Sequence, residues 1–287
     1  MTRPQVLGRL SPSERDDVVR LATAVEAADG VYPLNEQATL GLAETGLTHL
    51  VYRESGRLTG YAVLVPDSSA QLMVAPGARR RGVGTGLLDE LRRLNPAAEV
   101  WSFADLAPAH SFAAAYGFHA VRELLVMELP LLARRRRIGA NTPDADIRQF
   151  SPADLPELVR LNARAFHGHP EQGALSTRDF ETRMTSSWFD PAGLLIAWNR
   201  QGAMVGFHWT KAEGPVGEVY VLGVDPSQAG HGWGRLLLEA GLDHLAARGA
   251  ESVVLWVDGD NRPARTLYEA SGFSVVRRDL RYRKVDT

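Results

Sequence analysis

One pattern occurs twice in this chain, and the repetition limits the fold more than any other feature. Met73-Val74-Ala75-Pro76-Gly77-Ala78-Arg79-Arg80-Arg81-Gly82-Val83-Gly84 is echoed by Gly223-Val224-Asp225-Pro226-Ser227-Gln228-Ala229-Gly230-His231-Gly232-Trp233-Gly234. Pro76 and Pro226, Gly82 and Gly232, and Gly84 and Gly234 are each 150 residues apart. Leu10-Ser11-Pro12 returns as Phe150-Ser151-Pro152 at an offset of 140, and Tyr116-Gly117-Phe118 as Ser271-Gly272-Phe273 at 155. Offsets that drift in one order are what loop-length changes leave between two copies of one domain. The 287 residues suit two domains of ordinary size. The first copy is expected over 1–138 and the second over 144–287, joined where Arg134-Arg135-Arg136-Arg137 runs into Gly139-Ala140-Asn141-Thr142-Pro143-Asp144. The four arginines read as a solvated linker end.

Each copy reads as a helix, strands, a glycine loop opening a helix, then a strand and a helix. In the second copy 194–198 and 205–210 form a predicted hairpin around Asn199-Arg200-Gln201-Gly202. Residues 218–224 read as a strand, 234–247 as a helix with a leucine face, and 253–257 as a buried strand. Residues 262–271 read as a short helix stopped by Gly272. The fold class expected is mixed α/β in two tandem copies.

Composition excludes several function classes. Thirty-two basic against thirty-four acidic residues leave a charge of −2, so no global basic field holds nucleic acid. Apolar runs are shorter than the ~20 residues of a membrane span. No hydrophobic leader region opens the sequence, so a cytoplasmic protein is expected. With no cysteine there is no disulfide, thiolate metal site or thiol nucleophile. His167, His169, His208 and His231 follow no metal-ligand spacing, and no metal is expected. The chain is expected to act as a monomer.

A strand, Gly-x-Gly and a helix make a generic anion site, because free N–H groups at the helix start point at a phosphate. The dinucleotide fingerprint is disfavoured, since its third glycine position is Leu237 and hairpins precede the loop; no Gly-Lys-Ser/Thr follows for a P-loop. Arg79-Arg80-Arg81-Gly82-Val83-Gly84 resembles the Arg/Gln-x-x-Gly-x-Gly/Ala pyrophosphate loop of the GCN5-related N-acetyltransferases, and Leu267-Tyr268-Glu269-Ala270-Ser271-Gly272-Phe273 resembles their closing helix. The resemblance implies acetyl-CoA lying between two splayed central strands. In the second copy it implies cofactor contacts from Leu222, Gly223, Val224, Ala229, Gly230, His231, Gly232, Trp233, Gly234, Arg235, Asn261 and Arg265. In the first it implies Leu72, Met73, Val74, Arg79, Arg80, Arg81, Gly82, Val83, Gly84 and Thr85.

Longer runs are similar to tandem members of that family that acetylate the cysteinyl amine of cysteinyl-glucosaminyl-inositol. They are Ala28-Asp29-Gly30-Val31, Asn35-Glu36-Gln37, His169-Pro170-Glu171-Gln172-Gly173, Trp188-Phe189-Asp190-Pro191, Gly206-Phe207-His208-Trp209-Thr210-Lys211 and Gly217-Glu218-Val219-Tyr220-Val221-Leu222-Gly223. Two positions depart from the pattern. Ala229 stands at the loop's Arg/Gln position and is expected to loosen the pyrophosphate contact; Trp256 stands for a tyrosine and is expected to reshape the acceptor pocket.

The repeat also predicts a division of labour. Aligned on the proline, Glu218 faces Ser68; aligned on Gly-Phe, Tyr268 faces Ala113. An α-amine of pKa near ~7.7–8.0 needs a base, and a departing thiolate gains from a proton. Glu218 is the candidate base and Tyr268 the candidate acid, roles that the resemblance also implies, with a backbone N–H near Gly223-Val224 for the oxyanion. Glu36, Glu171, Lys211, Glu218 and Trp256 are the candidate acceptor contacts. Two alternatives stay open: the same fold acting on an aminoglycoside or peptide amine, and an acyl-CoA-binding module without turnover.

Overall fold

The computed structural model describes residues 3–132, 146–169 and 172–285. In chain order the elements are β1 (Gln5–Leu7), α1 (Pro12–Asp29), α2 (Glu36–Gly41), β2 (Thr48–Glu54), β3 (Arg57–Leu64), β4 (Ser69–Val74), α3 (Val83–Leu94), β5 (Glu99–Ser102), α4 (Ala107–Ala115) and β6 (Phe118–Pro130). There follow β7 (Asp146–Gln149), α5 (Leu155–Ala165), α6 (Thr177–Met184), β8 (Leu194–Trp198), β9 (Met204–Glu213), β10 (Val216–Val224), α7 (Trp233–Ala247), β11 (Ser252–Asp258), α8 (Arg262–Ser271) and β12 (Ser274–Lys284). No helix among the described residues is long and apolar enough to cross a membrane. The four-arginine run and the expected linker lie outside the described residues.

The chain forms two compact units, Met1–Leu124 together with Arg277–Thr287, and Leu125–Val276. In the first, strands run in the order β1-β2-β3-β4-β5 and then β12 from Arg277 on; in the second, β6 from Leu125 on and then β11-β10-β9-β8-β7. The two orders match element for element, as duplication requires. Each unit has a parallel pair, β4 with β5 and β10 with β11, next to the antiparallel pairs β3 with β4 and β9 with β10. The edge strands β1 and β7 and the long strands β6 and β12 are additions that the sequence reading did not contain.

Local chemistry sets the helix starts. Ser11 caps α1 reciprocally: its Oγ accepts from the Glu14 N–H at 3.3 Å, and Glu14 accepts from the Ser11 N–H at 2.8 Å. Ser151 and Asp154 repeat the box at the matching point of the second unit, which is why this echo survived in the sequence. Each sheet is covered on both faces. In the second unit, Leu238, Leu242 and Leu245 of α7 pack on Val219, Val253 and Leu255, while Leu158, Leu161 and Phe180 pack on Phe207, Trp209 and Val221. Burying such a side chain is worth about 1.5–3 kcal/mol. His208 belongs to this core: its Nδ1–H donates to the Leu237 carbonyl at 2.8 Å, and burial pushes its pKa down to about 4.

Candidate active site

In the second unit β10 and β11 begin as a pair and then part. Residues 216–218 are matched to 252–254, and no later residues are, although the strands run on to Val224 and Asp258. β4 and β5 do the same, matching only 69–71 to 99–101. Diverging strands leave N–H and C=O groups without a ladder partner, and an extended ligand carrying amides can satisfy them as an added strand does.

A bulge then sorts the side chains of β10. Val219 faces Thr210 and Val221 faces Trp209, which leaves Tyr220 with no opposite number on β9. A bulge places consecutive side chains on one face and resumes the alternation one residue out of step. Val219 accordingly packs beneath α7, whereas Tyr220 and Val221 both join the cluster beneath α5 and α6. Glu218 shares their face. So do Lys211, directly opposite Glu218 on β9, and Trp256, two residues beyond its β11 partner Val254. Trp256 is 41% exposed. Lys211 is mostly buried, its Nζ 3.1 Å from Glu213 and 5.1 Å from the Trp188 ring centre.

The bulge also corrects the alignment of the copies. β4 pairs with β3 without interruption from Gly60↔Val74 to Leu64↔Ala70. Counting back along the ladders, Ala70 matches Val219, and Glu218 matches Ser69 rather than Ser68. Proline alignment fails here because the extra residue lies between the proline and the glutamate. The chemical contrast is unchanged, since the first unit still offers a serine, buried at 2% exposure.

Tyr268 projects from α8, a helix capped by Asn261, whose Oδ1 accepts from the Ala264 N–H at 3.2 Å. The ring is buried with Leu129 and Val257 and meets Phe273 edge-on at 5.7 Å. Burial pushes the phenol pKa above its ordinary value, which keeps the hydroxyl protonated. Arg265 donates to the Gly259 carbonyl at 2.8 Å. Ala113 occupies the matching point of α4.

Both glycine loops reach the next helix through left-handed glycines, Gly82 at φ 86° and Gly232 at φ 88°. Neither helix start has a side-chain cap, so its first N–H groups remain available to an anion. Gly84 and Gly234 are small for another reason: a Cβ would sit 3.5 Å from Phe112 and 3.3 Å from Leu267, where the next helix crosses. The side chains of Val83 and Trp233 are buried at 1% and 5% exposure, so these two residues can offer a ligand only their backbone. His231 is exposed, its Nδ1–H donating to the Gln228 carbonyl at 3.3 Å, and Arg235 is exposed. Thr85 bonds the Tyr116 hydroxyl at 2.6 Å. Arg81 reaches Glu54 at 3.2 Å.

The departure at Ala229 has a structural explanation. Arg79, its counterpart, makes a bidentate pair with Asp29 at 2.8 Å and reaches the Val74 carbonyl at 3.3 Å, tying the loop to the end of α1. The second unit ties its loop the other way round: Arg164 at the end of α5 holds Asp225 of the loop at 2.8 Å. Burial alone would raise the Asp225 pKa, but hydrogen bonds from Ser227 and Arg164 hold it below the usual carboxylate range. An arginine at position 229 is therefore unnecessary as a strap. The signal was legible in neither loop alone, only in the loop and the helix end together.

The first unit contains a cavity of about 940 Å³ along its splay, lined by Leu72, Met73, Val74, Arg79, Arg80, Gly82, Gly84 and Thr85 with Val100, Trp101, Phe112, Tyr116 and Tyr282. Eight of the ten positions expected to hold a cofactor there line this one space; Arg81 and Val83 are not among them. Of the expected acceptor contacts, Glu218, Lys211 and Trp256 share one face. Glu36 opens α2 in the first unit behind its cap Asn35, and Glu171 lies outside the described residues.

This arrangement, with paired splays, uncapped glycine loops and a carboxylate and a phenol retained in one copy, defines a tandem N-acetyltransferase of the GNAT class. Residues 155–273 match the acetyltransferase (GNAT) family and residues 45–120 an acetyltransferase (GNAT) domain. Among solved structures, a GCN5-related N-acetyltransferase from Sphaerobacter thermophilus superposes with a TM-score of 0.73 at 23% identity, covering 99% of this chain and 96% of that one. A tandem GNAT protein from the clavulanic acid biosynthesis pathway gives 0.71 at 22%, covering 99% and 98%. Curated relatives are nearer. The mycothiol acetyltransferase of Propionibacterium freudenreichii subsp. shermanii is 44% identical across 96% of this chain and 90% of its own length. That of Thermomonospora curvata is 45% identical across 95% and 94%. The chain belongs to the mycothiol acetyltransferase family.

Proposed function

We propose that the second unit transfers the acetyl group of acetyl-CoA to the cysteinyl amine of cysteinyl-glucosaminyl-inositol, the closing acetylation of mycothiol synthesis. What supports this reading is that one unit carries Glu218 on the strand that splays and Tyr268 on the helix after its parallel partner, set against Ser69 and Ala113 at the same points of a unit that keeps its loop and cavity. The α7 N-terminus and the loop backbone around Gly230 and Gly232 hold the pyrophosphate, and the unpaired edge of β10 receives the amide-bearing arm. Glu218 accepts a proton from the ammonium, directly or through one water, and frees its lone pair. That lone pair forms the N–C bond at the thioester carbonyl, while a backbone N–H near Gly223-Val224 stabilises the oxygen that gains charge. The C–S bond then breaks and Tyr268 gives its proton to the leaving sulfur. The extra proton that the acylated nitrogen still carries passes to the Tyr268 oxygen, directly or through water, leaving the neutral amide and the phenol restored, while Glu218 releases its proton to solvent. Lys211 and Trp256 flank Glu218 on the acceptor side. The first unit holds acetyl-CoA in its own cavity without turning it over. The protein works as a cytoplasmic monomer without a metal.

The test is direct. Purified protein and acetyl-CoA are mixed with cysteinyl-glucosaminyl-inositol, an aminoglycoside or a peptide amine, and products are read by mass. Turnover confined to the first acceptor is the expected result. Turnover on another amine alone overturns the substrate, and bound acetyl-CoA with no turnover overturns catalysis.

A further inference from the structure

The face that carries Glu218 continues into an aromatic surface that the chemistry above does not use. Trp188, in the turn after α6, meets the Tyr220 ring at 4.8 Å and 59°, and the Trp209 ring at 5.9 Å. Tyr220 meets Trp209 edge-on at 5.4 Å. Trp209 is fully buried, whereas Trp188 and Tyr220, packed against the same core, are only half-buried. Arg183 of α6 fixes the Tyr220 ring by donating to its hydroxyl at 3.0 Å. The Lys211 ammonium lies 5.1 Å from the centre of the Trp188 ring, and Lys211 is the cross-strand neighbour of Glu218. A fixed aromatic wall with a cation over its Trp188 ring is thus set beside the candidate base.

Its origin is the bulge. Without the extra residue, β10 would place a single side chain where Tyr220 and Val221 both stand. The first unit has no bulge in β4, and Val63 occupies the ladder position of Trp209. Base and wall are present together in one unit and absent together from the other, which ties the wall to the acceptor rather than to the fold.

We infer that Trp188 and Tyr220 form the platform on which a ring of the acceptor stacks, with Lys211 donating to its hydroxyls. Sugar and cyclitol rings combine an apolar C–H face with polar edges, and a pocket that selects them needs an aromatic face with a few placed polar groups. The platform sets acceptor specificity and takes no part in proton transfer. This rests on the acceptor proposed above.

The experiment compares two acceptors, cysteinyl-glucosaminyl-inositol and cysteinamide, which has the amine but no ring. Trp188→Ala and Tyr220→Leu are expected to raise KM for the ringed acceptor at least tenfold, with kcat within threefold. Cysteinamide kcat/KM and the KM for acetyl-CoA should stay within twofold, and Trp188→Phe should restore most of the loss. An unchanged KM for the ringed acceptor, or equal losses on both acceptors in Tyr220→Leu, overturns the platform. If Trp188→Ala loses both acceptors through misfolding, Tyr220→Leu and Trp188→Phe decide by the same criteria. Failure of the wild type on the ringed acceptor is a different result and overturns the acceptor itself.

Discussion

The two units are the same machine with different working parts. Both have the parallel pair that splays and the glycine loop that opens a helix through a left-handed residue. Both tie that loop to the end of a preceding helix, but with the charges exchanged: Arg79 to Asp29 in one, Asp225 to Arg164 in the other. The parts that hold an anion are preserved in kind. The parts that would move protons are preserved in one unit only, where Glu218 and Tyr268 stand against Ser69 and Ala113. A strap can be rebuilt from either end because only the ion pair matters. A base cannot be replaced by a serine, because a hydroxyl does not hold a proton taken from an ammonium.

The strongest way to break this comparison is to make the units alike. Glu218→Gln is expected to lower kcat about 10²- to 10⁴-fold near pH 7, the range for one acid–base group. The loss should shrink above the amine pKa of ~7.7–8.0, where the nucleophile is deprotonated without help. A variant whose pH–rate profile keeps the wild-type shape removes Glu218 as the base.

Tyr268→Phe should cost less, about 10- to 100-fold in kcat, with the KM for acetyl-CoA nearly unchanged. Its phenol pKa is raised by burial, so folding favours the neutral form; that contribution is present below the unfolded pKa of about 10 and is lost as pH rises through the folded value. The rate should therefore show no alkaline fall from this group below pH ~10. An alkaline limb near pH 8 that disappears in Tyr268→Phe would contradict the assignment.

Matched loop changes sharpen the comparison. Gly82→Ala and Gly232→Ala each force a side chain into a left-handed conformation, at about 1–2 kcal/mol. The second should raise the KM for acetyl-CoA severalfold, whereas the first should weaken only binding to the first unit, as titration calorimetry would resolve. Equal losses of turnover would end the division of labour.

The smallest effects concern the straps. Asp29→Asn and Arg164→Ala remove partly exposed pairs, so each should cost about 1 kcal/mol or less. Because the Asp225 pKa is depressed in the folded chain, its contribution is present above the unfolded carboxylate pKa of ~3.9 and is lost as pH falls through the folded value. The melting difference between Arg164→Ala and wild type should hold from pH 5 upward and vanish in strong acid. Persistence of the difference in acid would assign Arg164 another role.

Much of this was legible in the sequence for physical reasons. Glycines in left-handed turns and a serine capping box tolerate few replacements, so the echoes at Gly82/Gly232 and Ser11/Ser151 survived divergence. The leucine face of α7 and the Gly272 stop lay in plain periodicity. Tyr220's excess residue did not, because a bulge is a property of the ladder and has no composition of its own; the alignment of Glu218 slipped by one for that reason. Nor did the Arg164–Asp225 strap, formed by residues 61 apart. The edge strands β1 and β7, three and four residues long, are too short to show a period.

The first compact unit takes its last strand segment, the part of β12 from Arg277 on, from beyond the whole of the second. Leu280, Arg281 and Tyr282 pair there with Ser102, Trp101 and Val100, and the Asp279 carboxylate accepts from the Ala104 N–H at 2.8 Å. On the ribosome this inverts the expected order. The unit that is made first cannot close its sheet edge or line its cavity with Tyr282 until synthesis has passed through all of the other, whose residues are contiguous. Until that segment arrives, the unit made first keeps an open sheet edge at β5.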